Sequence, residues 1–128
     1  MPVLVCGGGV IGVSIAYFLS LRRAEAVVIE RTGIGCAASG KSGGFLALDW
    51  CDGSPLGLLA RRSFELHAKL AAAFDGRWGY RRLDTLSLVA SARRTLASSR
   101  HPSLPDWIAR EALFQQRLGT TETTAQVH

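Results

Sequence analysis

The apolar residues of this chain change period several times, and each period predicts an element. Val3, Leu4 and Val5 form a continuous apolar run, the pattern of a strand buried in a parallel sheet. A helix is expected from about Val10. It closes at Arg22, Arg23 and Ala24, where helices commonly use a glycine. Ala26 to Ile29 predict a second strand. Phe45, Leu46, Ala47 and Leu48 follow a run of small residues and are expected to anchor it in a core. Ser54 and Pro55 mark a helix start, a hydroxyl cap before a first-turn proline. Leu59, Ser63, Leu66, Leu70 and Ala73 then recur at three- and four-residue spacing, and Gly76 is the expected stop. Trp78 to Ala90 has an alternating portion, with Leu83, Thr85, Ser87 and Val89 on one side and Leu86 and Leu88 on the other. This predicts a strand. Ala92 to Pro105 reads as a loop. Asp106 to Leu118 is expected to be a short helix with Trp107, Ala109 or Arg110, and Leu113 or Phe114 on its apolar side. The final GTTETTAQVH shows no core-forming periodicity, and no internal repeat is present.

The join between the first strand and the first helix carries the most chemistry. Gly7 allows a tight turn out of the strand. Gly9 lets a pyrophosphate approach the backbone. Gly12 lets the helix lie close to the sheet. The N–H groups and the positive dipole end of that helix, from Val10, Ile11 and Gly12 onward, would face the phosphates. Glu30 ends the second strand, 18 residues after Gly12, near the spacing of roughly 20 residues expected of a ribose-binding acid. Such a carboxylate accepts hydrogen bonds from both ribose hydroxyls and repels a 2′-phosphate, which argues against NADP. A glycine-rich turn in an ordinary α/β domain does not account for three glycines in register together with Glu30. The reading is a dinucleotide-binding βαβ unit in an α/β, Rossmann-like fold.

Composition narrows the class. At 128 residues one modest domain is expected, and a hydrophobic content of 48% is enough for a packed core. No apolar run reaches about 18 residues, so no transmembrane segment is expected. The first strand begins almost at Met1, which leaves no room for a signal or transit peptide. Cys6, Cys36 and Cys51 are an odd set without metal-type spacing. They fit free thiols in a reducing, cytoplasmic compartment, with no metal site. Cys6 and Cys51 are expected to be buried packing residues. The formal charge of +5 is carried by arginine pairs scattered along the chain. Without a basic face interleaved with aromatics, the reading is solvated surface and no nucleic-acid partner.

Residues 31–53 replace the expected next helix and strand with small residues. Such a run suits a loop and helix start whose backbone packs against a ligand. Ser39 and Ser42 can donate hydroxyl hydrogen bonds to phosphate, and Lys41 adds a cation. Taken together, V-x-V-C-G-G-G-V-I-G, V-I-E-R and C-A-A-S-G-K-S-G-G-F-L-A-L-D-W-C resemble the D-amino-acid-oxidase-type FAD-dependent oxidoreductases. The resemblance covers essentially the whole chain and is strongest over residues 3–70.

The resemblance implies FAD as cofactor and a small-molecule substrate, an amine or amino acid. It places Gly7, Gly9, Val10, Ile11 and Gly12 at the pyrophosphate and Glu30 and Arg31 at the adenosine. Ser39, Lys41, Ser42, Gly43 and Gly44 run along the pyrophosphate towards the flavin. It further implies an FAD-binding part over residues 1–75 and the start of an inserted substrate-binding sheet over 76–128. In that sheet Tyr80 and Arg81 could approach a substrate carboxylate, although a twisted edge strand with solvated arginines is the favoured reading. His67 is read as a packing or surface residue. No catalytic residue is identified, because the flavin carries the redox step. The family's remaining strands and second flavin-contacting segment lie beyond a point equivalent to His128. Weak FAD binding and little oxidase activity are therefore expected of this chain alone. Two other readings stay open: an NAD-linked dehydrogenase fragment with the same fingerprint, and a truncated non-catalytic isoform.

Overall fold

A computed structural model describes residues 1–90, 105–108 and 112–128. The fold is mixed α/β, in two compact units, Met1–Gly43 and Gly44–His128.

The first unit is a βαβ element. β1 (Val3–Cys6) runs into α1 (Val10–Leu21), and the chain returns as β2 (Ala26–Ile29) parallel to β1. Val3 pairs with Ala26 and Cys6 with Ile29, so the predicted order, direction and second-strand limits hold. The expected burial of the first strand does not. Val5 is buried, but Val3 is 43% and Leu4 63% exposed, because within the unit this sheet has two strands and α1 covers only part of it. For the same reason Cys6, expected to be a buried packing residue, is exposed, and Cys51 is half-buried. α1 stops as its residue pattern requires. The Arg23 N–H bonds the Ser20 carbonyl at 2.9 Å and the Ala24 N–H reaches back to Leu19 at 3.0 Å. This Schellman closure puts Arg23 at φ 58°, where glycine is the usual occupant.

The second unit contains β3 (Phe45–Ala47), α2 (Gly57–Ala73), β4 (Arg81–Arg82), β5 (Thr85–Ala90), β6 (Ala112–Gly119) and β7 (Thr124–Gln126). β7 lies between β3 and β4, antiparallel to both, while β5 and β6 form a separate antiparallel pair.

Several expectations are corrected here. Where a helix was expected over Asp106–Leu118, residues 106–108 form a turn and β6 begins at Ala112. Pairing with β5 supplies backbone bonds along one edge of β6, and Trp107, expected on an apolar helix face, is 84% exposed. The tail without periodicity supplies β7, in which Thr124 and Ala125 are fully buried. The strand expected over Trp78–Ala90 is split into β4 and β5 at Leu83–Asp84. The Thr124 hydroxyl bonds the Leu83 carbonyl at 2.6 Å, and Asp84 pairs with Arg117 at 2.7 Å.

α2 begins later than Ser54–Pro55. The Ser54 hydroxyl serves the preceding turn, donating to the Cys51 carbonyl at 2.7 Å and accepting the Leu56 N–H at 3.2 Å. The buried face of α2 is Gly57, Phe64 and Ala71. Leu66 and Leu70 of the expected face are half-buried, while Leu59, Ser63 and Ala73 are exposed. α2 also ends before Gly76, with Asp75 and Gly76 both in the left-handed region. Phe45, expected in a core, is exposed, whereas Leu46, Ala47 and Leu48 are half-buried. Most of the expected loop at 92–105 lies outside the described residues.

Several of the described arginines in this unit are engaged nearby. Arg61 pairs with Asp52, and Arg82 donates to the Glu122 carbonyl at 2.8 Å while lying 4.5 Å above the Phe64 ring. Among the described residues no helix is long and apolar enough to cross a membrane.

Candidate functional site

Three consecutive glycines follow β1, and the backbone does there what side chains would prevent. Gly7 has φ +107°, a conformation that L side chains rarely adopt. Its N–H continues the sheet by bonding the Ile29 carbonyl at 2.8 Å. A β-carbon on Gly12 would stand 1.9 Å from the Gly7 carbonyl oxygen. The helix can therefore meet the turn this closely only with glycine at that position. A β-carbon on Gly9 would lie 3.0 Å from Ser39 Oγ.

α1 starts with Gly9 as an extended cap residue that has no side chain to offer. The Ser39 hydroxyl supplies that cap from another segment, accepting the Val10 N–H at 2.9 Å. It keeps its own proton for donation. The N–H groups of Ile11 and Gly12 belong to the first turn and have no intrahelical acceptor. No acidic side chain stands in that turn to compete for an anion.

Glu30, just after β2, turns back to the same place. Its Oε2 accepts the Gly8 N–H at 2.7 Å and its Oε1 accepts the Thr32 N–H at 2.8 Å. The backbone N–H of Gly8, then that of Thr32, hold this carboxyl below its ordinary pKa, against a smaller opposing effect of desolvation. Each oxygen retains a second lone pair, so the group can still accept from hydroxyls. The turn thus offers N–H donors to an anion beside a carboxylate that can hold hydroxyl groups.

Gly7, Gly9, Val10, Ile11, Gly12, Glu30 and Ser39 are therefore brought together. Arg31 is exposed and enters through its backbone N–H, which also lowers the Glu30 pKa. Lys41 is exposed at the end of the 3-10 turn Ala38–Lys41. Ser42 donates to the Ser39 carbonyl at 3.2 Å, and Gly43 follows it. Gly44 opens the second unit at φ +67°, where a β-carbon would meet the Val127 carbonyl at 2.1 Å.

Sequence reasoning missed Gly8 and Thr32. A β-carbon on Gly8 would be 2.6 Å from Ile34 Cδ1, and the Gly35 N–H bonds the Gly8 carbonyl at 3.0 Å. The signal was present: the fingerprint requires only the outer two of three consecutive glycines. Away from this turn, Arg81 is engaged with Gln126 and lies 3.3 Å from His128 Nε2. The Tyr80 hydroxyl is buried with no hydrogen-bond partner among the described residues. His67 is half-buried in α2, and burial lowers its pKa. No group of three metal-ligating side chains occurs among the described residues.

The chain matches the family model described as FAD dependent oxidoreductase (DAO) over residues 2–126. It belongs to that family. The cofactor of these oxidoreductases is FAD. Two relatives are named only as candidate oxidoreductases. One, from Schizosaccharomyces pombe, is 38% identical over 98% of this chain and 35% of its own length. The other, TDA3 of Saccharomyces cerevisiae, is 38% identical over 71% of this chain and 18% of its own length. The chain thus spans about a third of the length of its fission-yeast relative. No solved structure matches it.

Proposed function

We propose that this chain seats the ADP part of FAD at the turn between β1 and α1, within an oxidoreductase acting on the CH–NH group of an amine or amino acid. The observation that carries this is the Gly7–Gly12 turn, whose backbone approach leaves no room for a β-carbon at Gly12. The pyrophosphate lies against the first-turn N–H groups of Ile11 and Gly12, with the Ser39 hydroxyl donating to it. Glu30 accepts from the ribose hydroxyls and Arg31 flanks the adenosine. Lys41, Ser42 and Gly43 continue from Ser39 along the phosphates. When bound, the flavin supplies the redox chemistry, accepting a hydride from the carbon beside the amine nitrogen. This chain's residues bind and orient it.

In this reading residues 1–75 belong to the FAD-binding part and residues 76–128 begin the substrate-binding region. A cytoplasmic location is consistent with three free cysteines. The test is titration of the chain with FAD, ADP and NAD, followed by calorimetry and flavin fluorescence. FAD and ADP are expected to bind. Gly9→Val, which crowds Ser39, should weaken both by about tenfold or more with the circular dichroism spectrum unchanged. Preference for NAD, or a folded Gly9→Val variant with undiminished affinity, would overturn the proposal.

A further inference from the structure

We propose that Glu30 fastens the glycine turn in its phosphate-receiving shape before any nucleotide arrives, so that it acts as a positioning residue as well as a ribose acceptor. This rests on the reading that the turn receives a diphosphate.

Three consecutive glycines have more backbone freedom than any other tripeptide, and fixing them costs the most entropy. A binding turn built from them needs restraints that do not come from the ligand. Besides the Val13 N–H bond to the Gly9 carbonyl from within the helix, four are present: Gly7 N–H to the Ile29 carbonyl, Gly35 N–H to the Gly8 carbonyl, Val10 N–H to Ser39 Oγ, and Gly8 N–H to Glu30 Oε2. Only the last is charge-assisted, the stronger class of hydrogen bond, and at 2.7 Å it is also the shortest of the four. It acts on the middle glycine, which is buried and has no other anchor on its N–H side. The carboxylate is itself held at its other oxygen by Thr32. The clasp therefore runs from the end of β2 to the centre of the turn without needing a sugar.

The depressed Glu30 pKa is consistent with this, since the Gly8 N–H is its largest cause. Arg31, the adjacent charged residue, contributes through its backbone N–H, and no charged side chain is among the causes. A preformed turn spares the ligand the ordering cost, which raises affinity without adding a contact.

Two measurements on the whole chain test this. In the nucleotide-free ¹⁵N-labelled chain, the Gly8 and Thr32 amides are followed by NMR as the pH is lowered. A depressed carboxyl keeps its clasp at neutral pH and loses it as pH falls through the folded value. Both amides should therefore shift together with one midpoint below the ordinary 4.5, and Glu30→Gln should abolish that shared titration. A Gly8 amide indifferent to pH and to Glu30→Gln overturns the proposal.

The second probe is inorganic pyrophosphate, which has no sugar. Glu30→Asp keeps the charge but shortens the reach, and is expected to weaken pyrophosphate binding about tenfold with the circular dichroism unchanged. If Glu30→Asp loses ADP affinity but binds pyrophosphate like the parent, Glu30 acts on the ribose alone and the proposal fails. A Gly8 amide that titrates with Glu30 in a chain binding neither FAD nor pyrophosphate upholds the clasp and overturns the nucleotide reading instead.

Discussion

The Met1–Gly43 unit and the sheet around β7 reach definite geometry by opposite means. In the first, little is buried: Val5, Gly8 and Gly12 are covered, while Val3, Leu4, Val27 and Ile29 are exposed. Its shape comes from places where a side chain is missing and the backbone can approach itself, as at Gly12 and Gly7. In the second, shape comes from covering one strand completely. Thr124 and Ala125 have no solvent exposure. The Thr124 hydroxyl lies 2.6 Å from the Leu83 carbonyl and 3.0 Å from that of Thr120, and accepts from Thr85 at 3.2 Å. A ligand-facing turn must leave space beside the backbone, so it cannot be stabilised by filling that space. A sheet centre has no such restriction.

That contrast can be broken most severely at Gly12. Alanine is normally about 1 kcal/mol better than glycine in a helix, yet Gly12→Ala is expected to destabilise the chain by about 2–3 kcal/mol. The neighbour at 1.9 Å is the Gly7 carbonyl, which cannot rotate away. Chemical denaturation would check this, and a neutral or stabilising result would show that the close approach is not what shapes the turn. A smaller effect is expected at Thr124. Thr124→Val keeps the volume and removes the hydroxyl, so the half-buried Leu83 carbonyl loses its 2.6 Å bond at a cost of about 1 kcal/mol, while the Thr120 carbonyl keeps its two backbone donors. If the urea midpoint stays put, the backbone ladder alone holds β7. A change of similar size has the opposite sign. Arg23 sits at φ 58°, so Arg23→Gly should raise stability by about 1 kcal/mol, read as a higher melting temperature with nucleotide affinity unchanged.

What was legible in the sequence follows the same division. β1, α1 and β2 announce themselves through adjacent residues, because their apolar runs and the Gly7–Gly9–Gly12 spacing are local facts. The Glu30 position was legible for the same reason, as a distance along the chain. Its bonds to Gly8 and Thr32 were not, since they depend on how β2 returns beside β1. β7 was invisible because Thr124, Ala125 and Gln126 carry no apolar pattern. They form a strand only through Phe45–Ala47 and Arg81–Arg82, distant in sequence. In β6, Leu113 and Phe114 suit a helix stripe as readily as a strand, and pairing with β5 decided between them. The phase of α2 was misjudged because its close contacts include Gly57 and Ala71. Gly57 packs where a β-carbon would stand 3.0 Å from the Cys51 carbonyl, and glycine carries no hydrophobic signal.

The place of β7 in its sheet also sets an order of events. Among the described strands β3 and β4 do not bond each other, and β7 is the partner of both. A chain leaving the ribosome from its N-terminus can close the β1–β2 pair once about thirty residues have emerged, since that contact is short-range. Residues 45–47 and 81–82 must then wait with open edges until Thr124–Gln126 is translated, and edges left open in a nascent chain invite pairing with neighbours. Synonymous codon changes that slow translation between residues 83 and 123 should therefore lengthen that vulnerable interval and lower the soluble yield, with the finished protein unaltered.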